Sequence, residues 1–164
     1  MRRLLVLLLA LVLAPAGAAA TFTFSVVTSS PVTAPTATLS GDDQAKTFTV
    51  VTQVAYTGPG NTAGWKVQAS STTLTYATTH TLPALAVTAG TYSCQSGCTT
   101  SPTPTGITYP ITLSTSPKTI YNANTGTGRG TYRITNTYQV TYPASAVAGT
   151  YSATLTLTGA TGPT

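Results

Sequence analysis

The chain has 164 residues, of which only 5% are charged, and its formal net charge is +5. That length suits one domain with a sizeable core. The sparse charge excludes a nucleic-acid footprint, because Lys46, Lys66, Lys118, Arg129 and Arg133 are scattered and form no basic stripe.

Residues 1–20 read as a secretory signal peptide. Arg2 and Arg3 form a basic start, Leu4–Leu13 is a short apolar run, and Ala18-Ala19-Ala20 offers a small-residue cleavage site. The run is short for a membrane span, and no later segment is apolar enough to replace it, so no membrane span is expected. Loss of Arg2 and Arg3 takes the formal charge from +5 to +3. Residues 21–164 are then read as a single exported domain. Threonine fills roughly a quarter of the chain, and with Val and Tyr it favours pleated, half-buried surfaces.

In chain order, Thr21–Thr28 alternates as a first strand with Phe22, Phe24 and Val26 on one face. Ser29–Pro35 is a Ser/Pro/Thr loop, Ala37–Ser40 a short edge strand, and Gly41–Ala45 a turn holding Asp42 and Asp43. Thr47–Tyr56 places Phe48, Val50, Val54 and Tyr56 on one face. After the turn that begins at Gly58, a strand follows with Trp65, Val67 and Ala69 on one face and Lys66 and Gln68 on the other. These two strands are expected to pair as a hairpin, and Trp65 is expected to anchor the core.

Pro83 holds His80–Thr88 to an edge or a loop. Ala89–Cys98 reads as a turn and a short hairpin, and Thr99–Thr105 as a Pro-rich loop. Ile107, Tyr109, Ile111 and Leu113 alternate, and Thr119–Ala123 is a short strand before the Gly-rich turn Thr125–Gly130. Two clean strands come last. Tyr132, Ile134, Asn136, Tyr138, Val140 and Tyr142 share one face of the first, and Tyr151, Ala153, Leu155 and Leu157 one face of the second. No helical periodicity appears outside the signal. The expectation is an all-β, immunoglobulin-like antiparallel β-sandwich of about nine strands.

The pentapeptide Ala-Gly-Thr-Tyr-Ser occurs at Ala89–Ser93 and again at Ala148–Ser152. The second copy sets Tyr151 as a core anchor. Two placements stay open: a corner tyrosine bonded back to upstream backbone, or a ring packed at the core rim.

Cys94 and Cys98 enclose Gln95-Ser96-Gly97. A three-residue hairpin loop with Gly97 left-handed brings their Cβ atoms together, and export favours oxidation. A structural disulfide is therefore expected over a redox or metal site. His80 is the only histidine and Asp42 and Asp43 the only acids. They form no acid/base pair, triad or calcium set at these spacings. No catalytic residue, cofactor or metal is expected. Thr-x-Thr rows at Thr21/Thr23, Thr47/Thr49, Thr73/Thr75 and Thr154/Thr156/Thr158 can engage sugar hydroxyls, but they read first as the outer face of a Thr-rich sheet.

Three stretches resemble WxL-type cell-surface domains: Thr62-Ala63-Gly64-Trp65-Lys66-Val67, Thr125-Gly126-Thr127-Gly128, and Tyr142–Leu155 with Gly159–Pro163 after it. Val67 stands where the family motif has Leu, and no second Trp follows Tyr151. The resemblance implies a secreted, non-enzymatic β-sandwich held non-covalently to the cell wall through peptidoglycan or wall polysaccharide. The alternative reading is a structural subunit of an extracellular fibre or coat, because Thr-rich, uncharged strand edges can self-associate.

Overall fold

The computed structural model describes residues 21–57 and 62–162. The expected signal peptide and the turn residues Gly58, Pro59, Gly60 and Asn61 lie outside the described residues.

Among the described residues ten strands form: β1 (Thr21–Val26), β2 (Gln44–Thr57), β3 (Trp65–Ser71), β4 (Thr75–Tyr76), β5 (His80–Thr81), β6 (Ala86–Thr100), β7 (Ile111–Thr112), β8 (Lys118–Ala123), β9 (Arg129–Tyr142) and β10 (Leu155–Thr161). A five-stranded sheet runs β1-β2-β9-β6-β7, a three-stranded sheet runs β10-β3-β8, and β4-β5 is a small ribbon. All pairings are antiparallel. The result is an all-β, sandwich-like fold of antiparallel sheets.

Period-two alternation decides which side chains meet. Val50, Val54 and Tyr56 of β2 and Tyr132, Ile134, Tyr138 and Val140 of β9 point inward and are buried. Trp65, Val67 and Ala69 of β3 and Ile120, Tyr121 and Ala123 of β8 oppose them from the other sheet and are also buried. Each fully buried large apolar side chain contributes about 1.5–3 kcal/mol, so this double layer dominates stability. Phe48 stacks on its cross-strand neighbour Tyr138, with centroids 5.4 Å apart. Asn136 shares the inward face, is buried, and donates through Nδ2 to the Ile120 carbonyl.

Several expectations are corrected. β2 and β3 do not form a hairpin. β2 pairs with β1 and β9, while β3 pairs with β10 and β8. Their apolar faces do meet, but across the sandwich, because the connection crosses from one sheet to the other. Ala37–Ser40 is not a strand. Its neighbours are instead held by side chains: Gln44 Nε2 donates to the Thr38 carbonyl, and Tyr142 OH donates to Pro35 O at 3.1 Å.

Ala89–Cys98 is not a turn and hairpin. It is the middle of β6, a continuous strand of 15 residues along β9, with bulges at Val87/Ala89, Cys94/Ser96 and Ser96/Thr100. Pairing with β9 absorbs the glycines that sequence reading took as punctuation. The alternating run Ile107–Leu113 forms a ladder only at Ile111–Thr112, and Val26 is 47% exposed at the end of β1.

Candidate functional site

Trp65 starts β3 and is fully buried. Its Nε1–H donates to the Gly128 carbonyl at 2.8 Å, and its ring stacks on Tyr121 at 6.1 Å. Gly128 has φ +71°, and a Cβ there would lie 2.4 Å from Ala123 Cβ and 2.6 Å from Trp65 Nε1. Only glycine admits both this backbone and the indole. The Gly-rich turn is thus the lid of the Trp65 pocket, and the indole is closed to ligand stacking.

Tyr151 combines its two open placements. Its OH donates to Val147 O at 3.0 Å, four residues upstream, as a corner tyrosine does. Its ring is half-buried, packs against the core edge, and tilts on Tyr76 at 5.8 Å. It is a rim residue rather than a core anchor of the Trp65 kind, because it lies ahead of β10 and outside the pleat. The first copy of the pentapeptide differs: Tyr92 is mid-strand and 41% exposed, edge-on to Tyr132 at 5.9 Å.

Cys94 and Cys98 are disulfide-bonded. Gly97 has φ +60°, the left-handed conformation expected of it. The bridge ties the bulge of β6 opposite Thr131 and Tyr132, not a hairpin tip.

The acid and imidazole groups do not converge. His80 stacks on Tyr76 at 5.9 Å, while Asp43 Oδ1 accepts the Ala144 N–H at 2.8 Å. Among the described residues, no group of three His, Cys, Asp or Glu side chains could hold a metal ion, and no helix is long and apolar enough to cross a membrane.

Two surfaces remain. The outer face of the five-stranded sheet is a registered lattice of hydroxyls and amides. Thr47 opposes Gln139, Thr49 opposes Thr137, and Thr91 opposes Thr135. Arg133 sits on it between Gln53 and Ser93. The Thr47/Thr49 pair was legible as alternation; its cross-strand partners were not, since they depend on register.

The second surface is a cleft of about 810 Å³ between the sheets, where β1 and β10 diverge. Near Gly159 these edges are closed by Phe24, which lies 2.6 Å from where a glycine Cβ would stand. Further along, Val26, Val27 and Val32 form one lip and Tyr151–Leu157 the other, over a floor of Phe48, Val50 and Val140. Sequence reading missed this cleft. Its one trace is Val26-Val27, an adjacent apolar pair that breaks alternation.

No family model, curated protein or solved structure matches the chain.

Proposed function

We propose that this chain is an exported, non-enzymatic surface domain that associates non-covalently with cell-wall polysaccharide or peptidoglycan. The observation that supports it best is the Thr/Gln lattice on β2, β9 and β6. Its hydroxyls and amides project in register from a broad sheet face and are nearly uncharged. Such a face offers donors and acceptors at the spacing of a pleated sheet, about 4.8 Å between strands, against the hydroxyls of an extended glycan. The burial of Trp65 directs any glycan contact to this face and away from indole stacking.

The test is sedimentation with purified cell walls. The secreted protein is expected to pellet with walls, and Thr135→Glu with Thr137→Glu is expected to leave it in the supernatant while its circular dichroism stays that of the parent. Parent protein that remains wholly in the supernatant beside a pelleting wall binder refutes the proposal. A second reading, a subunit of an extracellular fibre or coat, is favoured by one observation. β1 pairs with β2 over Thr52–Thr57, so that among the described residues the β2 edge from Ala45 to Thr49 has no ladder partner on that side.

A further inference from the structure

The cleft between β1 and β10 is bordered by two strand edges. Among the described residues β1 pairs with β2 alone and β10 with β3 alone, so each ends its sheet. Near Gly159 the two strands close on each other through Phe24, and toward Leu155 they separate into the cleft. The direction of the peptide groups on the β10 lip follows from the bonds they make. Ser152 and Thr75 exchange two N–H···O bonds of 3.0 Å, and Thr154 O accepts the Thr72 N–H at 3.1 Å. Ser152 and Thr154 therefore turn their backbone groups toward the β3 side. Backbone direction alternates along a strand, so Ala153, Leu155 and Leu157 turn theirs the other way, toward the cleft. No ladder among the described residues occupies that side.

The walls suit an uncharged, extended occupant. No residue that lines the cleft carries a charge, although the volume is about 810 Å³. That is within the roughly 300–1,000 Å³ of sites that enclose a ligand. The floor is Phe48, Val50 and Val140, and the opposite lip carries the exposed valines Val26, Val27 and Val32. A charged group seated here would lose its water without gaining a partner. An alkyl chain would cover the floor but leave the outward amides of β10 unpaired, whereas a peptide strand satisfies both. The edge Ala153–Leu157 is about 17 Å long at roughly 3.3 Å per residue, room for a strand of five residues.

From these edges and walls we infer that the cleft docks a segment of a partner protein, extended and uncharged, with apolar side chains at alternate positions. The segment adds as a strand to the Ala153–Leu157 edge of β10 and sets its apolar side chains on the Phe48/Val50/Val140 floor. This site is separate from the outer Thr/Gln face offered to glycan, and it uses neither that face nor the open β2 edge of the fibre reading. Hydrogen bonds to the β10 backbone supply the register, and burial of the valine lip supplies the attraction.

The experiment is nuclear magnetic resonance on isotope-labelled full-length protein after secretion, titrated with the capped peptide acetyl-Thr-Val-Thr-Val-Thr-amide. The peptide is expected to shift the methyl signals of Val50, Val140 and Leu157 and to slow hydrogen exchange at Ala153, Leu155 and Leu157. A strand paired along one edge bonds through alternate residues. N-methylation of either the valines or the threonines is therefore expected to abolish binding, and the other set to leave it. Val27→Asp, on the exposed lip, is expected to weaken binding about tenfold or more with an unchanged spectrum elsewhere. Leu155→Pro removes an outward N–H while sparing the bonds to β3, and is expected to weaken it as well. Absence of any shift at millimolar peptide overturns the proposal. So do methyl shifts with octyl glucoside but not with peptide, which would make the cleft an amphiphile pocket. Protection of the same three amides that grows with protein concentration alone assigns the edge to a second copy and overturns the partner segment.

Discussion

Truncation of Trp65 is the sharpest test of how the two sheets are held together. The indole is fully buried between Tyr121, Ala123 and the Gly128 turn, and its Nε1–H satisfies the Gly128 carbonyl. Trp65→Ala removes the largest core side chain, which typically costs about 3–5 kcal/mol. It also strands a buried carbonyl, at about 1–3 kcal/mol. A domain of this size is stable by about 5–15 kcal/mol, so the variant is expected to sit near the unfolding threshold. Trp65→Phe keeps a ring but loses the hydrogen bond and part of the volume, and is expected to cost about 2–3 kcal/mol. Urea unfolding followed by far-ultraviolet circular dichroism measures both. The parent's indole emission should be blue-shifted and shielded from acrylamide. An alanine variant with an unchanged urea midpoint and slope would refute the core assignment.

Two further outcomes follow from the geometry. Cys94→Ser with Cys98→Ser opens a loop of sequence separation 4. The chain-entropy estimate for so short a loop is about 2 kcal/mol, so the variant should fold with a modestly lower urea midpoint. Loss of folding would mean that the bridge does more than close a loop. The buried tyrosines make stability fall in strong alkali. Burial pushes Tyr109 from its ordinary 10.0 up to about 12, and raises Tyr121 and Tyr138 further. Because the neutral phenols are favoured in the fold, their contribution is complete below pH 10 and is lost as pH rises through the folded values. Urea midpoints taken from neutral pH upward should fall from about pH 10, and phenolate absorbance should lag that of free tyrosine. A flat midpoint up to pH 12 would contradict the burial of these hydroxyls.

Alternation along single strands determined which side chains go inside. Phe48, Val50, Val54 and Tyr56, then Trp65, Val67 and Ala69, then Tyr132, Ile134, Tyr138 and Val140 all face the core as their spacing requires, because successive side chains of a strand must point to opposite faces. The Cys94–Cys98 pairing and the left-handed Gly97 were also local, set by a three-residue gap. Which strand lies beside which was not local. β2 and β3 are neighbours in sequence with matching apolar faces, yet they belong to opposite sheets. A face complementary to its neighbour can be satisfied equally by pairing or by stacking, and only the whole sandwich chooses. The pentapeptide makes the same point: Ala89–Ser93 is drawn into β6 by β9, whereas Ala148–Ser152 meets only a single bridge from Ser152 to Thr75, and Tyr151 becomes a corner. The Thr lattice and the valine-lined cleft arise the same way. One needs the register of three strands and the other the divergence of two edges, and both are long-range quantities that no short window of residues contains.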